Sequence, residues 1–144
     1  MKYTQEIIIN KPIKEVVALF DNPNNLYEWM EGLQKFEHLS GTPGEPGAKS
    51  KLLFKMGNRE IEMIETITAR DLPTEFSGTY EANGVFNIQK NKFISIAANQ
   101  TKHVTENEFQ FKGVMMNLMG FLMPGAFKKQ SYKYLKAFKT FAEK

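Results

Sequence analysis

The chain has 144 residues, 42% of them hydrophobic, with 19 basic side chains against 16 acidic for a formal charge of +3, and no cysteine. That length suits one domain, residues 1–144, with a buried core, and the lack of cysteine excludes a disulfide scaffold, a thiolate metal site and a Cys nucleophile. Only Arg59 and Arg70 are arginines and basic and aromatic residues are not interleaved, so nucleic acid is not an expected partner; without an apolar leader or a run of about 20 apolar residues, a cytoplasmic protein is expected.

In chain order, "KYTQEIIIN" reads as a first strand, with Asn10 as a candidate cap and Pro12 in the first turn of a helix. Ile13, Val16, Val17 and Phe20 then share one helical face, and that helix ends near Asn22. Pro23 permits a second helical start, in which Leu26, Trp29, Met30 and Leu33 repeat the spacing.

From Gln34 to Lys112 the texture is strands between turn signals. "GTPGEPG" (41–47) is a loop, Gly57-Asn58 closes a two-residue hairpin, Asn83-Gly84 is the strongest hairpin signal, and "DLP" (71–73) and "ANQ" (98–100) mark further breaks. About six antiparallel strands result.

The final segment reads as a helix in two parts. From Phe127 onward, Ser131, Tyr134, Leu135, Phe138, Phe141 and Ala142 face one way and five lysines the other, while 114–123 would be apolar nearly all round and Pro124-Gly125 should kink or break the helix.

Strand, two short helices, six strands and a long helix together resemble the START-related helix-grip (SRPBCC) superfamily, which includes polyketide cyclase/dehydratases, the major birch pollen allergen and activators of the Hsp90 ATPase. The resemblance rests on "INKPIKEVVALFDNPNNLYEW", "GEPGAKSKLLF", "TARDLPTEF" and "NLMGFLMPGAFKKQSYKYLKAFKTFAE". It implies an α+β fold in which a curved antiparallel sheet of about seven strands wraps round a long C-terminal helix, with a hydrophobic cavity between them. The superfamily has no catalytic signature in common.

Strand parity supplies candidate inward residues: Leu52, Phe54 and Met56; Ile61, Met63, Glu65 and Ile67; Phe76 and Tyr80; His103, Thr105, Asn107, Phe109 and Phe111. The expected ligand-binding set is Trp29, Phe54, Met56, Met63, Phe76, Tyr80, His103, Asn107, Phe109, Met115, Met119, Leu122, Met123 and Phe127. The methionines, adaptable and polarizable, would line or gate an apolar pocket, the alternative being plain core.

Glu65, Tyr80 and His103 are the candidates for catalysis. An inward Glu65 needs a partner or a raised pKa, unless a register break turns it to solvent; His103 reads first as a hydrogen-bonded structural residue, the alternative being an imidazole in a cleft that titrates near neutrality; Tyr80 would present a hydroxyl. No metal-ligand spacing, phosphate loop or Gly-x-Ser-x-Gly is present, so neither metal nor cofactor is expected.

The expected partner is a hydrophobic small molecule such as a lipid, quinone or polyketide-like compound. The alternatives are a cyclase or dehydratase, or a protein- or membrane-contacting module built on 114–127 with its neighbouring lysines. Membrane contact is the less favoured of these, and the sequence leaves oligomeric state unread.

Overall fold

The structure is a computed structural model that describes residues 1–113 and 123–144. Seven strands form one antiparallel sheet: β1 (Lys2–Ile9), β2 (Leu33–Ser40), β3 (Lys49–Met56), β4 (Arg59–Asp71), β5 (Glu75–Ala82), β6 (Val85–Ala97) and β7 (Gln100–Phe111). Their order is β1-β7-β6-β5-β4-β3-β2, so consecutive hairpins build the sheet from β2 to β7 and the first strand returns to the far edge beside the last. The helices are α1 (Ile13–Phe20), α2 (Leu26–Trp29) and α3 (Pro124–Ala142), with a 3-10 turn over Pro23–Asn25.

Local chemistry explains where the elements stop. Pro12, extended, stands at the N-cap of α1, and Asn10 is not a cap: its N–H donates to Glu143 Oε2 at 2.7 Å and its Oδ1 accepts from Gln100. Asn22 Oδ1 instead caps the 3-10 turn, accepting from the N–H of Asn24 at 3.0 Å. The second helical pattern reached Leu33, but α2 stops at Trp29 because Gly32, at φ +87°, turns the chain into β2. A Cβ on Gly32 would lie 2.8 Å from the carbonyl oxygen of Lys55, so neither the angle nor the space admits a side chain. Leu33 opens β2 and still reaches the core.

Asn83 and Gly84 both take positive φ, as a two-residue hairpin of the twisted kind requires. Pro124 lies in the first turn of α3, so the Pro-Gly pair begins this helix. The expected helix over 114–123 falls, apart from Met123, outside the described residues.

α3 buries Leu135, Phe138 and Ala142 against the sheet and leaves Lys128, Lys129, Lys133 and Lys136 exposed. Phe138 is fully buried with Ile9, Val16 and Phe93, and Phe20 and Trp29 pack on that cluster. A second cluster of Leu33, Leu52 and Phe54 lies under Leu26 and Met30. Polar ties lock α3 to β1: Tyr3 Oη meets Ser131 Oγ at 2.6 Å, and Lys139 Nζ donates to the Ile8 carbonyl at 2.7 Å. On the opposite flank Lys133 pairs with Glu31, just after α2, at 2.6 Å.

Candidate functional site

Between the two clusters a cavity of about 160 Å³ opens under α3. One wall comes from the helices and is mainly apolar: Phe20, Leu26, Trp29, Met30 and Leu135, with Ser131 and Tyr134 beside them. The sheet wall mixes Phe36, Ile67 and Phe76 with a run of polar side chains: Ser50, Glu65, Tyr80, Gln89, Asn91, His103 and Thr105. Asp21, Pro23, His38, Pro43 and Gly44 edge its mouth, where the α1–α2 corner faces the β2–β3 loop. Asp21 is bonded to Arg70, which also lies 3.9 Å from Glu45.

The sheet register puts the polar run there. Glu65 on β4 pairs directly with Ser50 on β3 and with Tyr80 on β5, and Asn91 on β6 pairs with Thr105 on β7. Tyr80 donates its hydroxyl to Glu65 Oε2 at 2.8 Å. Burial pushes the Glu65 carboxyl above its ordinary range, against a smaller downward pull from that hydrogen bond. Burial also drives the Tyr80 phenol well up, helped by the adjacent carboxylate. The pair is therefore a carboxyl held inside the protein, a weaker acid than an exposed one, with a neutral phenol as its donor.

His103 is only 3% exposed and stacked on Phe93, ring centroids 4.4 Å apart, with Phe20 and Phe138 edge-on. Burial lowers its pKa from 6.5 to about 3. Of the two readings of His103 this geometry supports the hydrogen-bonded structural residue over one titrating near neutrality: desolvation with no compensating anion keeps the imidazole neutral. Asn91 sets its tautomer. The Asn91 amide directs Nδ2 at the Phe76 carbonyl, 3.4 Å away, which leaves Oδ1 to accept from His103 Nε2–H at 2.9 Å. His103 Nδ1 is then an acceptor, buried and without a partner among the described residues. Trp29 Nε1 and Thr105 Oγ1, on two other lining residues, share that condition.

Of the residues expected at the site, Trp29, Phe76, Tyr80 and His103 line the cavity, as does Glu65. Phe54 does not; it packs with Leu33 and Leu52, where Met63 also lies. Met56 is 40% exposed, because β3 outruns the helical cover as it approaches its hairpin. Phe109 and Phe127 form a separate aromatic group with Phe111 and, through Phe109, Tyr3, and Asn107 bonds to Asn87 instead. Met123 is 51% exposed at the N-cap of α3, which corrects its placement in a pocket. Met115, Met119 and Leu122 lie outside the described residues. Sequence reasoning missed Asn91, Gln89, Ser50 and the aromatic face of Phe20. Pairing Asn91 with the already inward Thr105 is the signal that finds the first of these.

Among the described residues no group of three or more His, Asp or Glu side chains is placed to hold a metal, and no helix is long and apolar enough to cross a membrane. A sequence profile of the family described as polyketide cyclase/dehydrase and lipid transport matches residues 1–143. Comparison with curated protein sequences finds no match. Among solved structures, the Zhui aromatase/cyclase from Streptomyces sp. R1128 superposes with a TM-score of 0.83 at 11% identity, over 99% of this chain and 93% of that one. Ara h 8.0201 gives 0.77 at 16% identity, over 99% and 97%. Norcoclaurine synthase from Thalictrum flavum, in complex with dopamine and hydroxybenzaldehyde, gives 0.74 at 13% identity, over 98% and 85%.

Proposed function

The chain belongs to the polyketide cyclase/dehydrase and lipid transport family, within the START-related helix-grip superfamily, and on that footing we propose that it binds a hydrophobic small molecule, a lipid, quinone or polyketide-like compound, in the cavity beneath α3. The cavity itself carries this reading. Its helical wall presents Phe20, Leu26, Trp29, Met30 and Leu135 to an interior space in which an apolar molecule is removed from water. Native mass spectrometry of freshly purified protein, followed by organic extraction, tests it: a co-purifying apolar compound is expected. Protein that is repeatedly empty and takes up nothing from a panel of lipids and quinones would defeat the proposal.

A second reading has its own observation. A buried carboxyl of raised pKa, hydrogen-bonded by Tyr80, lines the same cavity, which supports cyclase- or dehydratase-type proton transfer on a molecule held there. Glu65→Gln leaves the cavity's shape and removes the acid, so retained ligand binding with lost turnover of a poly-β-keto substrate is the result this reading predicts. Equal turnover by the variant would remove Glu65 from any such role.

A further inference from the structure

Between Glu108 and Glu143 the sequence holds six of its 19 basic side chains and none of its 16 acidic ones. Five of the six are lysines of α3, a helix with no carboxylate of its own. Two of these have partners: Lys133 meets Glu31 at 2.6 Å, and Lys139 meets Glu143 at 2.6 Å. Lys128, Lys129 and Lys136 are exposed and pair with no acidic side chain among the described residues; the Lys128 ammonium lies 5.9 Å from the centre of the Tyr3 ring.

Helical spacing gathers these charges on one side. At about 100° per residue, Lys128, Tyr132, Lys136, Lys129 and Lys133 fall within an arc of about 140°, and Lys128 and Lys136 stand about 12 Å apart along the axis. Such spacings are close to the Debye length of about 8–10 Å, so the fields of the unpaired ammonium groups overlap. Tyr132, 39% exposed, lies among the lysines, and Met123, 51% exposed, stands at the start of the helix. A bilayer with anionic head groups matches this face better than nucleic acid does. The face has no arginine to fork onto phosphate, lysines act as point charges toward a diffuse negative layer, and tyrosine is a residue of the head-group level.

We infer that the lysine face of α3 is a docking surface for an anionic lipid bilayer, with Lys128, Lys129 and Lys136 in the head-group layer. This surface is separate from the cavity, yet the two share one helix, whose other side lines the cavity through Ser131, Tyr134 and Leu135. Docked in this way, α3 has the bilayer on its outer side and the cavity on its inner one.

Vesicle flotation of the intact chain tests it, with phosphatidylcholine alone and with phosphatidylcholine containing phosphatidylserine. Each lysine near such a surface adds roughly fivefold to partitioning, so the three unpaired ones should favour the anionic vesicles by about a hundredfold, an advantage that added salt erases. Lys128→Gln/Lys129→Gln/Lys136→Gln should lose it. A control with the same change in net charge, Lys49→Gln/Lys55→Gln/Lys90→Gln at exposed positions of the sheet, should keep most of it. Uptake of a neutral environment-sensitive dye, an apolar probe of the cavity, should be the same for wild type and both variants, which establishes that they are folded. Equal flotation of the two triple variants, or equal binding of wild type to both kinds of vesicle, would overturn the inference. So would tighter binding to duplex DNA or to polyglutamate than to the anionic vesicles. Salt-sensitive vesicle binding by protein that takes up no probe would support the docking surface and count against the binding function alone.

Discussion

Tyr80 and Glu65, direct partners across β5 and β4, share a 2.8 Å hydrogen bond in which the phenol is the donor, and both side chains line the cavity. Removing the phenol with Tyr80→Phe leaves the carboxyl to burial alone, so its pKa should rise further, as carbon NMR of the side-chain carboxyl would record. The lost hydrogen bond should cost about 0.5–3 kcal/mol at pH 8 in denaturant titration, the upper end where its acceptor is ionised. Glu65→Gln removes the buried charge and keeps an oxygen for Tyr80, so at the same pH it should be close to neutral or stabilising.

His103 fixes an acid limit on stability. The unfolded imidazole protonates near 6.5 and the folded one only near 3, so between these values the unfolded chain holds the extra proton. Stability is therefore full above pH 6.5 and is lost on acidification toward 3, at no more than about 1.4 kcal/mol per pH unit. Glu65 works in the opposite direction. Its raised pKa contributes stability at low pH that is lost as pH rises through the folded value. Melting temperatures from pH 7 to 4 should fall for wild type and fall less steeply for His103→Gln, whose neutral side chain takes up no proton.

The long helix is required for folding. A chain ending at Gly125 lacks Leu135, Phe138 and Ala142, which close the core over β1 and β6, and should show no cooperative melting. Phe138→Ala, a fully buried truncation in the intact chain, should cost about 3–5 kcal/mol.

Met123 should tolerate charge. It is half exposed at the N-cap of α3, so Met123→Lys should alter stability by less than about 0.5 kcal/mol and leave probe affinity unchanged. A loss of affinity in a folded variant would mean that this side chain reaches the ligand after all.

Arg70 should govern exchange more than stability. Its contacts with Asp21 and Glu45 are about one-third to one-half exposed, so Arg70→Ala should change stability by no more than about 1 kcal/mol. Because Arg70 holds Asp21, which lines the cavity, the same variant should release a bound probe faster, and added salt should speed release from wild type but not from the variant. Stopped-flow displacement measures both.

The architecture was legible because its punctuation is local. Gly57-Asn58, Asn83-Gly84 and Pro23 announce their turns through backbone preferences that no tertiary contact overrides. The site was legible only where apolar parity and inward direction coincide, as at Phe76 and Tyr80. On β6 they part company. Phe86, Ile88 and Ile94 make the even parity more apolar, and the sequence reading assigned this strand no inward set; the register with β7 turns Gln89 and Asn91 inward and leaves Ile94 43% exposed. Met56 and Met123 show the converse limit: apolar character says nothing about whether cover extends to the end of an element.

The return of β1 to the side of β7 has a consequence for how the chain folds. Each pair, from Lys2 with Glu108 to Ile9 with Thr101, joins residues separated by most of the polypeptide. A nascent chain therefore carries its first strand unpaired past the exit of five hairpin-forming strands, and only the seventh can engage it. Such non-local pairing belongs to the topologies that fold in milliseconds to seconds. The interval in which "EIIIN" stands exposed is set by translation speed, so a chaperone that holds extended apolar segments would find this stretch its first substrate.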